Sequence, residues 1–365
     1  MNGTLFLTGV TGYIGSSLLK KWLDDTDMEI DLLVRSRRDR SPGERVLAVL
    51  EELYSGADSK ALMDRIRVHE GDVALENLGF DEETYSDISS RTTRIIHCAA
   101  AARFDLDIEV ARKVNVGGTR NMLALARACG SLDKFDYIGT AYVSGMRDGL
   151  ILEDKLDTGQ EHRNTYERSK MEAEKIVRGH FGELPITVMR PSIVICDSKT
   201  GRASDFNGFY RALRLYWHGL MKMLPGDPAC RIDLVPVDYV TDAIFALSGS
   251  EAGIGRGYHL TAGADRAATL ADIKELAAEH FGLEPFAIIP PEHFLAGLAA
   301  RESELTDDEK RIADELKLYM PYLSTKMSFD SSGAVKDTGL EPPPVGEYFG
   351  TMARYIMERE PRGPA

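Results

Sequence analysis

"LFLTGVTGYIGSSLLKKWL", residues 5–23, places glycines at Gly9, Gly12 and Gly15, a G-x-x-G-x-x-G spacing. Leu5, Phe6 and Leu7 read as a buried strand, and Leu18, Leu19, Trp22 and Leu23 recur at helical spacing, so the glycines fall where a strand turns into a helix. A helix that starts there presents free N–H groups and a positive dipole end, and glycines let an anionic group approach the backbone. The stretch therefore reads as a dinucleotide phosphate loop. A turn needing positive φ for its own sake would use one of these glycines too, and it is the strand–loop–helix setting that favours the nucleotide.

Composition narrows the classes. Hydrophobic residues make up 43% of 365, enough for a large core and about two domains or one enlarged one. With Lys plus Arg at 44 against Asp plus Glu at 58, the net charge of −14 repels nucleic acid and anionic lipid. No basic, apolar leader precedes the first strand and no 18-residue apolar run occurs, so a cytoplasmic protein with no membrane span is expected. Cys98, Cys129, Cys196 and Cys230 form no C-x-x-C pair, and the eight histidines show no ligand spacing, so no metal is expected.

Apolar strand-like runs at 30–34, 66–69, 94–98, 135–139, 187–190 and 258–260 alternate with helix-period segments, of which 108–128 and 165–178 are the longest. This is the pattern of an α/β fold, a Rossmann-type doubly wound parallel sheet. The alternation lapses at 197–232 and again from 283. Expected is a nucleotide domain over 1–196, to which 233–282 returns, with a smaller, mostly helical substrate-binding region built from 197–232 and 283–365. The tail "REPRGPA" reads as frayed.

The second strand is informative about the nucleotide. After Val34 comes Arg35, where a free ribose 2′-hydroxyl would call for Asp or Glu, and an arginine offers a fork to a 2′-phosphate. Arg37, Arg38 and Arg45 are candidates for a second contact, and a solvated basic loop is the plain alternative. Asp72, in "EGDV", follows the third strand toward the adenine edge, and "HCAAAA" from His97 offers the small Ala99 and Ala100 where backbone must lie against a cofactor.

Candidate chemistry follows at later strand ends. Thr140 stands just past the fifth strand, and "NTYERSKMEAEKIV" sets Tyr166 and Lys170 one turn apart on one helix face. Lys170 beside Tyr166 favours the phenolate, lowering its pKa toward the working range of a proton donor, while Thr140 hydrogen-bonds the same oxygen and Lys170 also holds the nicotinamide ribose. In "FNGFYRALRLYWHGLMKML", Phe209, Tyr210, Leu213, Tyr216, Trp217, Leu220, Met221 and Leu224 form an apolar face suited to an acyl or lipophilic substrate, or else to core packing. A nucleotide-sugar site would gather more charge than Arg211 and Arg214 supply.

"TGVTGYIG", "GDV", "HCAA", "NVGGT", "YIGTAYVSG", "YERSK", "RPSIV" and "VPVDYVTDAI", in order over residues 8–244, closely resemble the extended short-chain dehydrogenase/reductase superfamily, whose form of the loop carries this glycine spacing. "LVR", "HCAA" followed by "AARF", and "TAYVSG" resemble its thioester reductase and fatty acyl-CoA reductase branch. The resemblance implies a catalytic triad of Thr140, Tyr166 and Lys170, and a pyrophosphate cradle of Thr8, Gly9, Thr11, Gly12, Tyr13, Ile14 and Gly15. It gives Arg35 and Arg45 the 2′-phosphate and Asp72 and Val73 the adenine. Ala99 and Ala100 remain as backbone contacts, Pro191, Ser192, Ile193 and Val194 present backbone to the nicotinamide, and Asn115 supports the site. Phe104 joins Tyr210, Tyr216 and Trp217 as an expected substrate contact. The implied cofactor is NADPH and the implied substrate an acyl thioester, with a carrier protein, if one is used, arriving in trans. Gly139 departs from the pattern, standing where many relatives have Ser, and "GYIG" is as common in sugar epimerases. A nucleotide-sugar epimerase, a steroid-type hydroxyl dehydrogenase and a non-catalytic NADP sensor are the alternatives.

Overall fold

A computed structural model of the chain describes residues 3–37, 39–54, 61–203, 208–301 and 303–361. Arg38, Phe206, Asn207 and the tail from Arg362 lie outside the described residues. Seven strands carry the fold: β1 (Thr4–Thr8), β2 (Glu29–Val34), β3 (Ile66–Glu70), β4 (Thr92–His97), β5 (Lys134–Ile138), β6 (Ile186–Pro191) and β7 (Arg256–Leu260). They form one parallel sheet in the order β7-β6-β5-β4-β1-β2-β3. Every strand expected from the sequence is present, its ends moved by one or two residues.

Parallel neighbours need long crossovers, and helices supply them. The helices used below are α1 (Tyr13–Asp25), α2 (Pro42–Leu53), α3 (Glu82–Arg91), α4 (Gly118–Ala128), α5 (Thr165–Arg178), α6 (Gly208–Trp217), α7 (Val237–Ser248), α8 (Leu270–Phe281), α9 (Asp307–Tyr319) and α10 (Val345–Arg359). Side chains alternate across the strands, so each strand feeds two cores. Leu5, Leu7, Ile96, Ile138 and Met189 meet Leu18, Leu19 and Trp22 of α1 and Ile244 and Leu247 of α7. Phe6, Ile95, Tyr137 and Val188 meet Ile88 of α3, Met122 and Leu125 of α4, and Ala173 and Val177 of α5.

The stretch expected as one helix over 108–128 is helical throughout but contains a π-helical turn, Lys113–Gly117, between Ile108–Arg112 and α4. A π turn inside a helix marks a local departure that often serves a site. A separate core unites Tyr210, Leu213 and Tyr216 of α6, Ile273, Ala277 and Phe281 of α8, and Phe349, Met352 and Ile356 of α10. Helix α8 therefore packs against α10. Among the described residues no helix is long and apolar enough to cross a membrane.

Between the sheet and α5 lies a fully buried ion pair. Arg190 of β6 meets Glu174 of α5 at 2.5 Å, Arg178 joins the same carboxylate at 2.9 Å, and Arg190 also bonds Glu153 O at 3.0 Å and His259 Nε2 at 3.1 Å. Removing one side of a buried pair strands the other charge. We expect Glu174→Ala to lower the unfolding free energy by about 3–5 kcal/mol, read from the urea midpoint, with Glu174→Leu/Arg190→Met recovering most of it. A loss under about 1 kcal/mol for the single variant would show that Arg190 finds other compensation.

Candidate active site

The glycine loop closes on itself and on the neighbouring strand. Gly12 N bonds Gly9 O at 2.9 Å, and Gly9 has φ +81°. A Cβ on Gly9 would stand 2.7 Å from Ala99 N, and one on Gly15 would stand 2.1 Å from Gly9 O. The first hydrogen bond of α1 runs from Ser16 N to Gly12 O, so the N–H groups of Tyr13, Ile14 and Gly15 precede the helical ladder. No side chain caps that end and its first turn holds no acid. These features fit a pyrophosphate, which free N–H groups and the helix dipole would hold. Tyr13 lends the cradle only backbone, since its hydroxyl donates to Arg202 O at 2.8 Å.

Thr8 ties this loop to β4. Its Oγ1 accepts from Cys98 N at 3.2 Å and Ala99 N at 3.1 Å and pairs with His97 Nδ1 at 2.9 Å. Burial, with the Lys170 charge adding, drives His97 down to about 3, so it works as a neutral connector. Asn115, on the π turn, accepts from Ala101 N at 2.8 Å and donates to Ala101 O at 3.2 Å and Ser169 Oγ at 2.9 Å. It locks the segment after β4 to α5, beside Lys170.

At the end of β2 the expected basic residues converge. A capping box at Ser41 with Pro42 starts α2, and Arg45 on its first turn reaches Arg35 O and, at 3.0 Å, Thr11 Oγ1. Partial burial, and then the nearby Arg37 and Arg35, lower the Arg45 pKa, with Asp39 pulling it back up. Arg35 is largely exposed and lies 3.5 Å from Asp72 Oδ2. Asp72 Oδ1 accepts from Ala74 N at 2.9 Å, and Asn121 holds Val73 O at 2.7 Å, so "GDV" is a fixed turn at the same edge.

Thr140 caps the turn after β5, its Oγ1 accepting from Tyr142 N at 3.3 Å. Desolvation pushes the Tyr166 phenol up to about 12, with the Thr140 hydroxyl pulling it back down. This departs from the expectation that Lys170 favours the phenolate. Lys170 Nζ donates to Ile138 O at 2.9 Å and lies 4.4 Å over the Tyr137 ring. Burial lowers it to about 8, with Cys98 and Glu174 pulling it back up. A Cβ on Gly139 would stand in ordinary contact, 3.4 Å from Arg190 Cγ and Glu174 Oε2, and nothing in the structure explains the missing serine.

After β6, Ser192 Oγ bonds Asp233 Oδ1 at 2.5 Å, and Ile193–Val194 pairs with Leu234–Val235 in a two-stranded ladder, with Pro191 ending β6. Burial raises Asp233 to about 6, while it accepts from Ser192, Ala262 N and Gly263 N. No motif in the sequence points to Asp233, whose partners lie 29 to 41 residues away.

The aromatic residues divide. Phe104 stacks on Tyr166 with centroids 5.9 Å apart, on Tyr322 at 5.6 Å, and meets Tyr319 edge-on at 5.6 Å. Tyr210 and Tyr216 lie inside the second core, and the Tyr216 hydroxyl donates to Glu284 O at 2.8 Å. Trp217 stacks on Phe281 and donates to Glu360 O at 2.8 Å. Packing therefore engages the three residues expected from α6, and Tyr319 and Tyr322, unassigned from sequence, stand beside Tyr166. Their only signal was the aromatic "LKLYMPYL" segment.

A family model described as "Male sterility protein" and labelled NAD-binding matches residues 7–244. The chain is 28% identical over 272 residues to a non-canonical nonribosomal peptide synthetase of Aspergillus campestris, covering 71% of the chain and 25% of that protein. It is 29% identical over 283 residues to fatty acyl-CoA reductase 1 of Rattus norvegicus, covering 66% and 53%. The chain thus spans about a quarter of the one and about half of the other. The crystal structure of the terminal R domain from the myxalamid PKS-NRPS biosynthetic pathway superposes with TM-score 0.85 at 28% identity, covering 98% of this chain and 91% of that one.

We expect Gly9→Ala to keep the sheet, judged by circular dichroism, yet to weaken binding of a nicotinamide dinucleotide at least about tenfold, because the loop must open to relieve the contact with Ala99. Unchanged affinity by titration calorimetry would remove the loop from the binding site.

Proposed function

The chain belongs to the male sterility protein family of NAD-binding proteins, within the extended short-chain dehydrogenase/reductase superfamily, and from that premise we propose that it is an NADPH-dependent reductase of an acyl thioester or related lipophilic carbonyl. The observation that carries the reading is a half-buried tyrosine whose ring stacks on Phe104, which in turn stacks on Tyr322, so that it faces an aromatic wall instead of a charged one. Arg211 and Arg214, the arginines of α6, are engaged by Glu315 at 2.6 Å and Glu360 at 2.5 Å, which weighs against a nucleotide-sugar clamp. Arg35 and Arg45 are the proposed holders of the 2′-phosphate, Asp72 and Val73 of the adenine, and Pro191 to Val194, with Ala99 and Ala100, of the nicotinamide end. Phe104, Tyr319 and Tyr322 are the proposed acyl contacts.

When bound, the reduced nicotinamide supplies a hydride. The residues handle the charge that follows. Thr140 and Tyr166 meet the carbonyl oxygen, and Tyr166, protonated at working pH, donates its proton as negative charge develops there. Lys170 uses one of three donors on Ile138 O and has others for the ribose and the phenol oxygen. The Tyr166 phenolate takes that proton back as the tetrahedral adduct collapses, expelling the thiolate and leaving an aldehyde. A carrier protein bearing the thioester is the proposed partner, alongside acyl-CoA, and a cytoplasmic setting is proposed.

The test is a panel of acyl-CoA thioesters, ketones and UDP-sugars with NADPH consumption and free thiol followed together. Thiol release in step with oxidation is expected for medium and long acyl chains, with affinity rising several-fold per two carbons, since each buried methylene contributes about 0.8 kcal/mol. Tyr166→Phe should lower turnover by about 10²–10⁴-fold with cofactor affinity unchanged. Brisk turnover of a ketone or UDP-sugar without thiol release would sink the thioester reading.

Coenzyme choice is tested separately. NADPH should bind at least about tenfold tighter than NADH, and Arg35→Asp should erase most of the difference, as expected for a charged hydrogen bond of roughly 1.5–3 kcal/mol. Equal dissociation constants in the unmodified protein would contradict the assignment.

A further inference from the structure

We propose that Tyr322, from the second region, is a positioning residue for Tyr166, acting through a closed circuit of contacts that makes residues 319–322 part of the site. The circuit has two arms. Through rings, Tyr166 stacks on Phe104 at 29° and Phe104 stacks on Tyr322 at 27°. Through hydrogen bonds, the Tyr322 hydroxyl donates to Glu167 Oε1 at 2.6 Å and accepts from Asn164 Nδ2 at 2.6 Å. Glu167 is the residue after Tyr166, and Asn164 is the cap of the helix that carries both.

Each member is held by a further bond. Glu167 is fully buried, accepts from Arg163 N at 2.9 Å, and donates its own N–H to Asn164 Oδ1 at 3.0 Å. The Arg163 guanidinium lies 5.1 Å over the Tyr322 ring, and Tyr142 meets that ring edge-on at 5.2 Å. A buried carboxylate takes few partners, and here one is a phenol 155 residues away in sequence. The backbone at Tyr166 and the ring of Tyr166 are thus fixed by the same distant side chain. A proton donor displaced by about 1 Å can lose up to about a hundredfold in rate, so orientation of this kind is worth having.

The inference rests on the reading of Tyr166 as proton donor, and the test separates the two. In the full chain, Tyr322→Phe keeps the ring and removes the hydroxyl. With octanoyl-CoA and NADPH, kcat should fall about tenfold or more while KM and the NADPH dissociation constant stay within about twofold. In a Tyr166→Phe background the same change should add no further loss, since its effect passes through that hydroxyl. An equal loss in both backgrounds, or no loss in either, would overturn the proposal. If the unmodified protein reduces an aldehyde or ketone but no thioester, the substrate reading fails and the cycle on that carbonyl decides Tyr322. Hydrogen exchange gives a readout free of turnover: amides of 164–168 and 319–325 should exchange faster in Tyr322→Phe, and unaltered exchange would also overturn it.

Discussion

Gly9 brings the end of β1 within touching distance of the chain leaving β4, and the site depends on that approach. From β1 the sheet grows through β2 and β3 in one direction and, after the crossover, through β4, β5 and β6 in the other. Loops on the two sides of this reversal diverge and leave a crevice at the carboxyl ends of the strands. Thr8, bonded to Cys98 N and Ala99 N, holds its walls at one separation. The phosphate loop, "GDV", Thr140 and the turn after β6 all open on that edge, so a side chain at position 9 would disturb every one of them.

The second constraint is electrostatic. Lys170 lies in the interior with one carbonyl, one aromatic face and a carboxylate a turn away on the same helix. That carboxylate, Glu174, is itself neutralised by Arg190 and Arg178. The chain of alternating charges lets α5 carry a buried ammonium without an anion of its own beside it. Among the described residues its hydrogen bond goes to Ile138 O, and in the proposed mechanism its remaining donors would serve a ribose hydroxyl and a phenol oxygen.

Legibility in the sequence followed the range of the interactions. Strands declare themselves by apolar runs and the phosphate loop by spacing within seven residues, so β1 to β7 and Gly9 to Gly15 were readable. The placement of Thr140 just after β5, and of Tyr166 and Lys170 one turn apart on α5, was readable as well, because it depends only on a strand end and one helical turn. What escaped was set by distant partners. Asp233 gains meaning only from Ser192 and the Ala262–Gly263 backbone, and Tyr322 only from Glu167. Helix α6 shows the converse: Tyr210, Tyr216 and Trp217 have the composition of a lipophilic pocket and are used as packing, since an apolar helix face looks the same whether it meets a ligand or Phe281.

The state of Tyr166 changes how the pair with Lys170 is understood. A phenol pushed up to about 12 by desolvation is a poor acid before reaction, and the sequence suggested the opposite. A donor needs its proton until charge appears, however, and a protonated phenol at working pH meets that requirement without help. Where little solvent screens it, a hydrogen bond to a growing oxyanion strengthens as charge develops. In the proposed mechanism Lys170 would answer the charge that Tyr166 acquires on giving up its proton, where a permanently lowered phenol pKa would have left the donor part-ionised. The desolvation that makes Tyr166 a weak acid at rest would then also strengthen its hydrogen bond in the transition state, with the stack through Phe104 and Tyr322 aiming the hydroxyl.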